Sequence, residues 1–278
     1  MAEREPRAIL GIVRGCFFVL ALLGCADLGV VSDGTSISVG KPNHGYLVDG
    51  ARLPDDGEGF TTRDIWIQRD NRYGTDELID LVMGVSRRMA ARVKGVKIVI
   101  ADLSARGGGG AYDFHRSHQS GRDADFLYYW RDADGKPMEP DSMRVFDAHG
   151  RAKDGSGITL DVPRTWLLVQ ELLEAPEAPV QYIFLYEPLA VMLLDHAKAT
   201  GASDELLAKA RRVLRQPGDS ARHDDHMHVR IYCSAEDRAY GCVDIGPMDF
   251  DVSAAPGDPA DAALLRARAD RLDLRGWR

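Results

Sequence analysis

The sequence predicts an α+β fold: a small, mostly antiparallel central sheet flanked by helices. Two observations point to it. Helical and strand-like segments alternate without the strict β-α-β rhythm of a doubly wound fold. In addition, strand parity gives the segments around Asp123–Phe126 and His226–Val229, at the starts of the strand candidates Ala124–Trp130 and His226–Tyr232, a polar and an apolar face each.

The elements follow in order. Lys41–Gly50 has turn chemistry around a few apolar residues and reads as a hairpin. Asp76–Val93 repeats apolar residues at Leu78, Ile79, Leu81, Val82, Val85 and Met89, with Thr75 or Asp76 placed to cap: an amphipathic helix. Val96–Ala101 reads as a buried strand, and Arg106–Gly110 as a flexible loop. Pro163 suits the first turn of a helix through Trp166, Leu167, Val169 and Leu172. Val180–Leu185 is a third strand, Pro188–Ala199 and Asp204–Leu214 are helical, and His226–Tyr232 is the fourth strand.

The 278 residues suffice for one substantial domain or two small ones. A 45% hydrophobic and 28% charged composition is ordinary for a globular chain. The net charge of −8 excludes a general basic surface for nucleic acid. Arg4, Arg7 and Arg14 precede a short apolar run, Cys16–Gly24, which stops at Cys25-Ala-Asp: a secretory-signal pattern too short to span a bilayer comfortably. Leu22-Leu-Gly-Cys25 resembles a bacterial lipobox, so Cys25 is the expected lipid anchor, with plain secretory cleavage and an uncleaved anchor as alternatives. Each places the mature domain outside the cytoplasm, in the periplasm. Residues 1–25 are therefore read as a signal, 26–37 as a tether, 38–250 as the domain and 251–278 as a C-terminal extension of unknown role. Outside the signal, Cys233 and Cys242 form an even pair in an oxidising compartment, and a disulfide between them is expected. Nothing in the sequence sets an oligomeric state.

Five of eight histidines fall in two tight groups, His115-Arg-Ser-His118 with Asp123 and Asp125 following, and His223-Asp-Asp-His226-Met-His228. A lone histidine is usually a satisfied core residue; two such groups, each with carboxylates, point to a metal or catalytic site. Strand parity puts His226 and His228 on one face with Met227 and Val229 turned to the core, and likewise Asp123 and Asp125 opposite Ala124 and Phe126. Two imidazoles and one carboxylate suit Zn²⁺ with a fourth position open, as in a catalytic site. Asp224 and Asp225 could orient the neighbouring histidines or form a solvated acidic turn. Gly107–Gly110 lacks the Lys-Ser/Thr of a phosphate loop, and neither H-E-x-x-H nor G-x-S-x-G occurs. His44, His149 and His196 are assigned to surface or packing roles.

Ser117-His118-Gln-Ser-Gly-Arg-Asp-Ala-Asp125 with His223-x-x-His226-x-His228 resembles the penicillin-insensitive murein endopeptidase family. The likeness extends upstream to Ser38–Gly50 and Leu103–Gly109 and covers roughly Ser38 to Tyr232. The resemblance implies one zinc per chain on His118, Asp125 and His228, with His226 as general base or oxyanion stabiliser and His115 and His223 as further active-site histidines. It implies peptidoglycan as substrate and hydrolysis of the D-alanyl–diaminopimelyl cross-link. A D,D-carboxypeptidase or dipeptidase shares the Ser-x-His and His-x-His elements, but brings a Glu where this chain has Asp224 and Asp225. A non-catalytic zinc-holding wall-binding module is a third reading, opposed by the full set of five histidines.

Overall fold

The computed structural model describes residues 32–95, 97–109, 115–217 and 221–246. The expected signal, the lipid-anchor residue Cys25 and the extension 251–278 lie outside the described residues. In chain order the elements are β1 (Ile37–Lys41), β2 (His44–Val48), β3 (Ala51–Arg52), β4 (Asp56–Gly57), β5 (Phe60–Thr61), α1 (Asp64–Arg69) and β6 (Tyr73–Gly74). Then come α2 (Asp76–Arg92), β7 (Ile98–Val99), β8 (Asp123–Leu127), β9 (Trp130–Arg131), β10 (Pro137–Met138), β11 (Thr159–Leu160) and α3 (Val162–Leu173). The chain continues through β12 (Val180–Phe184), α4 (Glu187–Ala199), α5 (Asp204–Val213), β13 (Leu214–Arg215), β14 (His226–Ile231) and α6 (Ala235–Ala239).

The expected α+β class is what forms. A four-stranded sheet in the order β13-β12-β14-β8 sits at the centre, antiparallel except for the β12–β13 pair. Its apolar face, with Ala124, Phe126, Ile183, Met227 and Val229 all fully buried, joins the main core. The core is completed by Leu78, Ile79, Leu81 and Val82 of α2, by Leu168, Val169 and Leu172 of α3, and by residues of α4 and α5. Burying each such aliphatic side chain contributes about 1.5–3 kcal/mol. Helix starts follow the capping chemistry of the sequence: Thr75, Asp161 and Ser203 each accept a hydrogen bond from the backbone of the first turn.

Three expectations change in extent. The strand expected over Val96–Ala101 is only Ile98–Val99, with Ile100 in a bridge to Phe126; Val96 lies outside the described residues. The strand expected over Ala124–Trp130 stops at Leu127, because Trp130 pairs instead with Leu160 in a separate three-stranded sheet. The hairpin lies a few residues upstream of Lys41–Gly50, pairing Ile37 with Val48 and Lys41 with His44. Asp33 and Ser36, upstream of it, are bound through their backbone N–H groups to the Asp76 carboxylate.

Two devices fix the start of β8. The Arg122 side chain is fully buried and donates to Ser38 Oγ, Ile231 O, Val243 O and the Asp244 carboxylate at 2.7–3.2 Å. The expected disulfide is present between Cys233 and Cys242, with Cα atoms 5.9 Å apart. Beside it, Gly40 exchanges backbone hydrogen bonds with Gly241 and Val243, which holds β1 against the C-terminal segment. Helix α1 was not foreseen; its Trp66 is buried with Val99, Ala101 and Leu127 in a small second cluster. Its ends carry no side-chain N-cap, and Ile65 and Ile67 are exposed, so six residues offered no readable period.

Candidate metal centre

The polar face of the central sheet is the floor of an open cleft of about 1010 Å³. Register brings the site together across three strands: Phe184 lies opposite His228, which lies opposite Asp125, and one step on Tyr182, Arg230 and Asp123 line up in the same way. The parity expected for His226 and His228, and for Asp123 and Asp125, is thus realised.

Two loops supply the remaining histidines. His118 sits just before β8 in the left-handed region, with φ 67°. Its N–H donates to Asp123 Oδ2, and neighbouring Gln119 N–H donates to Pro42 O. His223, before β14, has φ 55°, and its carbonyl accepts from Tyr128 Oη and Tyr186 N–H. A non-glycine residue at positive φ costs of order 1 kcal/mol and persists only where its surroundings hold it. Among the described residues Asp49 and Asp70 also adopt this conformation, while the two histidines are held in it by the hydrogen bonds just named.

Six residues expected from the sequence therefore line one region. His115, His118 and Asp125 bring potential ligand atoms within 4.8 Å of one another, and so do His223, His226 and His228. The set read from the sequence, His118, Asp125 and His228, takes members from both groups and is tighter. His118 Nε2 and His228 Nδ1 are 3.2 Å apart. Asp125 Oδ1 lies 3.3 Å from the first and 3.2 Å from the second.

Hydrogen-bond bookkeeping shows what these atoms carry. His118 Nδ1 faces the Leu103 carbonyl at 3.1 Å, so that nitrogen holds the proton and Nε2 offers a lone pair. His228 Nε2 faces Asp123 Oδ1 at 2.7 Å, so Nδ1 offers the lone pair. Both Asp125 carboxylate oxygens are buried and make no hydrogen bond among the described residues. Three potential ligand atoms, two imidazole nitrogens and a carboxylate oxygen, thus face each other at 3.2–3.3 Å, an arrangement that suits a cation. Zinc–ligand bonds of about 2.0–2.1 Å in a tetrahedron give ligand–ligand edges of about 3.3–3.4 Å, and the donor set fits.

The electrostatics are those of a buried charge cluster. Burial favours the neutral Asp125 carboxyl, but His118 and His226 outweigh it and hold the group well below the usual carboxylate range. Asp123 is likewise lowered: Arg230 and His228 overcome the cost of its burial. Burial would also depress His226, but Asp125 and Asp225 raise it to about 10. Asp225 Oδ1 accepts from His226 Nδ1 at 2.7 Å, while His226 Nε2 stands 3.4 Å from Asp125 Oδ1. His223 moves the other way, to about 3, through burial and then the neighbouring His228 and His226, so it stays neutral.

Several participants were missed or left undecided by sequence. Asp102 Oδ2 bonds His115 Nε2 at 3.0 Å and Arg69 at 2.7 Å; nothing at the end of a short apolar strand signalled it. Asp123 had the right parity but no stated role; it orients His228 and Arg230 together. Asp225 takes the orienting reading, while Asp224 lies 3.6 Å from Lys153. His44 and His149 are exposed, and His196 lies on α4, none of them in the cleft.

A mixed α+β domain whose sheet floor gathers several imidazoles around a buried carboxylate defines a class: a hydrolytic enzyme with a candidate metal centre. The family model for penicillin-insensitive murein endopeptidase matches residues 38–252. The chain belongs to that family, whose members are peptidases acting on murein, a substrate of the cell envelope. Proteins of that name are similar at modest identity. The one from Haemophilus influenzae is 27% identical over 213 residues, 73% of this chain and 66% of its own length. One from Klebsiella pneumoniae is 26% identical over 239 residues, 83% of this chain and 76% of its own. One from Escherichia coli is 26% identical over 212 residues, 73% and 69%. Among the described residues no helix is long and apolar enough to cross a membrane.

Proposed function

We propose that this chain is a zinc-dependent murein endopeptidase hydrolysing D-alanyl–diaminopimelyl cross-links, with one ion held by His118, Asp125 and His228. The carrying observation is the triangle of three donors at 3.2–3.3 Å around the hydrogen-bond-deprived Asp125 carboxylate. Two imidazoles and a carboxylate match zinc in ligand type as well as spacing. When bound there, zinc would supply a polarised carbonyl and an acidified water.

The chain's own groups do the rest. His226, fixed by Asp225 through Nδ1, presents Nε2 to the cleft beside Asp125 and is the group that takes and returns the proton. Its raised affinity for a proton depends on two carboxylates; neutralising Asp125 removes one and brings the group towards working pH. His223, kept neutral, and His115, held by Asp102 through Nε2, flank the reacting position as hydrogen-bonding supports. Asp123 locks the His228 tautomer. Residues 38–250 form the peptidase domain, and a periplasmic location with lipidation at Cys25 completes the reading.

Purified chain is assayed for zinc and for digestion of cross-linked murein in the same sample. About one zinc per chain and conversion of muropeptide dimers to monomers are expected, and Ala at His118, Asp125 or His228 abolishes both. Near-normal hydrolysis by metal-free His228→Ala protein would sink the assignment. Release of terminal D-Ala without loss of dimers would make the enzyme a D,D-carboxypeptidase. Tight wall retention without cleavage would leave a binding module.

A further inference from the structure

One cleft group is unused by that mechanism. Arg230 lies on β14 two residues beyond His228, on the same face, hence about 7 Å along the strand from the candidate metal centre. Its residue is only 5% exposed, yet it lines the cleft. Nε donates to Asp123 Oδ1 at 2.7 Å, and the guanidinium lies over the Phe184 ring at 5.2 Å. No hydrogen bond among the described residues engages its Nη atoms. The group is thus anchored at one edge and on one face, with its outer edge left for something else. A guanidinium held in this way is preorganised for bidentate capture of a carboxylate, at little further entropy cost.

The other charges of the cleft do not oppose that. Asp225 is bound to His226, and Asp102 to both Arg69 and His115, so neither presents a bare negative charge to an incoming anion. Arg69 is committed through Nη1 to Asp102, whereas Arg230 shares Asp123 with His228 and uses Nε alone.

We infer that Arg230 is a specificity-determining residue that holds a substrate carboxylate next to the scissile amide, on its amine side. This rests on the endopeptidase reading above. In a D-alanyl–diaminopimelyl cross-link the acylated amine sits on a carbon that bears a carboxylate, a few bonds from the attacked carbonyl. A carbonyl placed at His118, Asp125 and His228 leaves that carboxylate within reach of the Arg230 edge. Chains whose amine-side residue lacks a carboxylate would be poor substrates.

The test compares muropeptide dimers with that carboxyl free or amidated, using the zinc-loaded full chain. The wild type is expected to prefer the free acid by roughly 10- to 100-fold in kcat/KM, the worth of a charge-assisted bidentate pair. Arg230→Gln, checked for full zinc occupancy, loses the preference by slowing on the free acid alone; Arg230→Lys, which keeps a cation, restores part of it. A merely structural role would slow both substrates equally. Binding of the uncleaved dimers to zinc-free wild type, measured by calorimetry, gives the same comparison without turnover and without any variant. Equal cleavage or equal binding of the two dimers by the wild type, or an undiminished preference in Arg230→Gln, overturns the inference. Preferential binding of the free acid without cleavage by the zinc-loaded chain instead overturns the endopeptidase reading and leaves this one standing.

Discussion

Replacing Asp123 with Asn keeps the side-chain volume and removes no proposed ligand, yet it should weaken zinc binding strongly. Asp123 is fully buried, and its Oδ1 accepts from both His228 Nε2 and Arg230 Nε at 2.7 Å, while Oδ2 accepts from His118 N–H. An amide cannot repeat this. With its oxygen towards His228 and Arg230, the NH2 opposes the His118 N–H; flipped, it opposes two donors instead. The His228 tautomer that exposes Nδ1 is then no longer imposed. Loss of such an outer partner weakens metal affinity about 10- to 100-fold, or about 1.4–2.7 kcal/mol. Arg230 also keeps a buried charge without its counterion, and breaking a buried pair in this way costs about 3–5 kcal/mol of fold stability. Competition with a chromophoric chelator reads the first quantity, and urea unfolding of metal-free protein the second. Zinc affinity within about twofold of wild type would refute the reasoning, because the carboxylate would then not be setting the His228 tautomer.

Removing the metal should lower stability as well as activity. At a zinc concentration 1,000-fold above its dissociation constant the ion contributes about 4 kcal/mol to the folded state, so chelation should lower Tm and added zinc restore it. The Cys233–Cys242 bridge, nine residues apart in sequence, should contribute about 2.6 kcal/mol by restricting the unfolded chain. Denaturant unfolding of the Cys233→Ala, Cys242→Ala double variant measures that loss, and an unchanged midpoint would contradict it. His226 and His223 predict opposite pH dependences in the metal-free protein. His226, raised from 6.5 to about 10, stabilises fully below pH 6.5 and loses that contribution as pH rises towards 10. The stability gap between wild type and His226→Gln should therefore shrink from pH 6 to pH 10. His223, lowered to about 3, remains neutral when folded, so its contribution is present above pH 6.5 and is lost as pH falls towards 3. A stability difference between wild type and His223→Gln that moves in favour of the wild type on acidification would contradict the sign.

The sequence by itself determined the ligand-bearing faces. Strand parity is a local property of the backbone, so His226 and His228 had to share a side, as had Asp123 and Asp125, once those segments were extended. Helices α2 and α3 were legible for the same reason: the apolar period and Thr75 cap of α2, and Pro163 in the first turn of α3, are local chemistry, whereas the caps Asp161 and Ser203 emerged with the structure. The pairing Cys233–Cys242 needed only the count of cysteines beyond the signal. Only the tertiary structure decided which strands lie side by side. The register His228 opposite Asp125 and Arg230 opposite Asp123 joins residues more than 100 positions apart, and no local preference encodes it. It also decided the outer partners, since Asp102 reaches His115 from a different sheet edge and Asp225 rather than Asp224 turns to His226. Helix α1 and the short strands escaped notice because each is too brief to show a period and exists by virtue of what it packs against. Charges confirm the division: the residue types were written in the chain, but their proton affinities came from burial and neighbours that folding alone assembled.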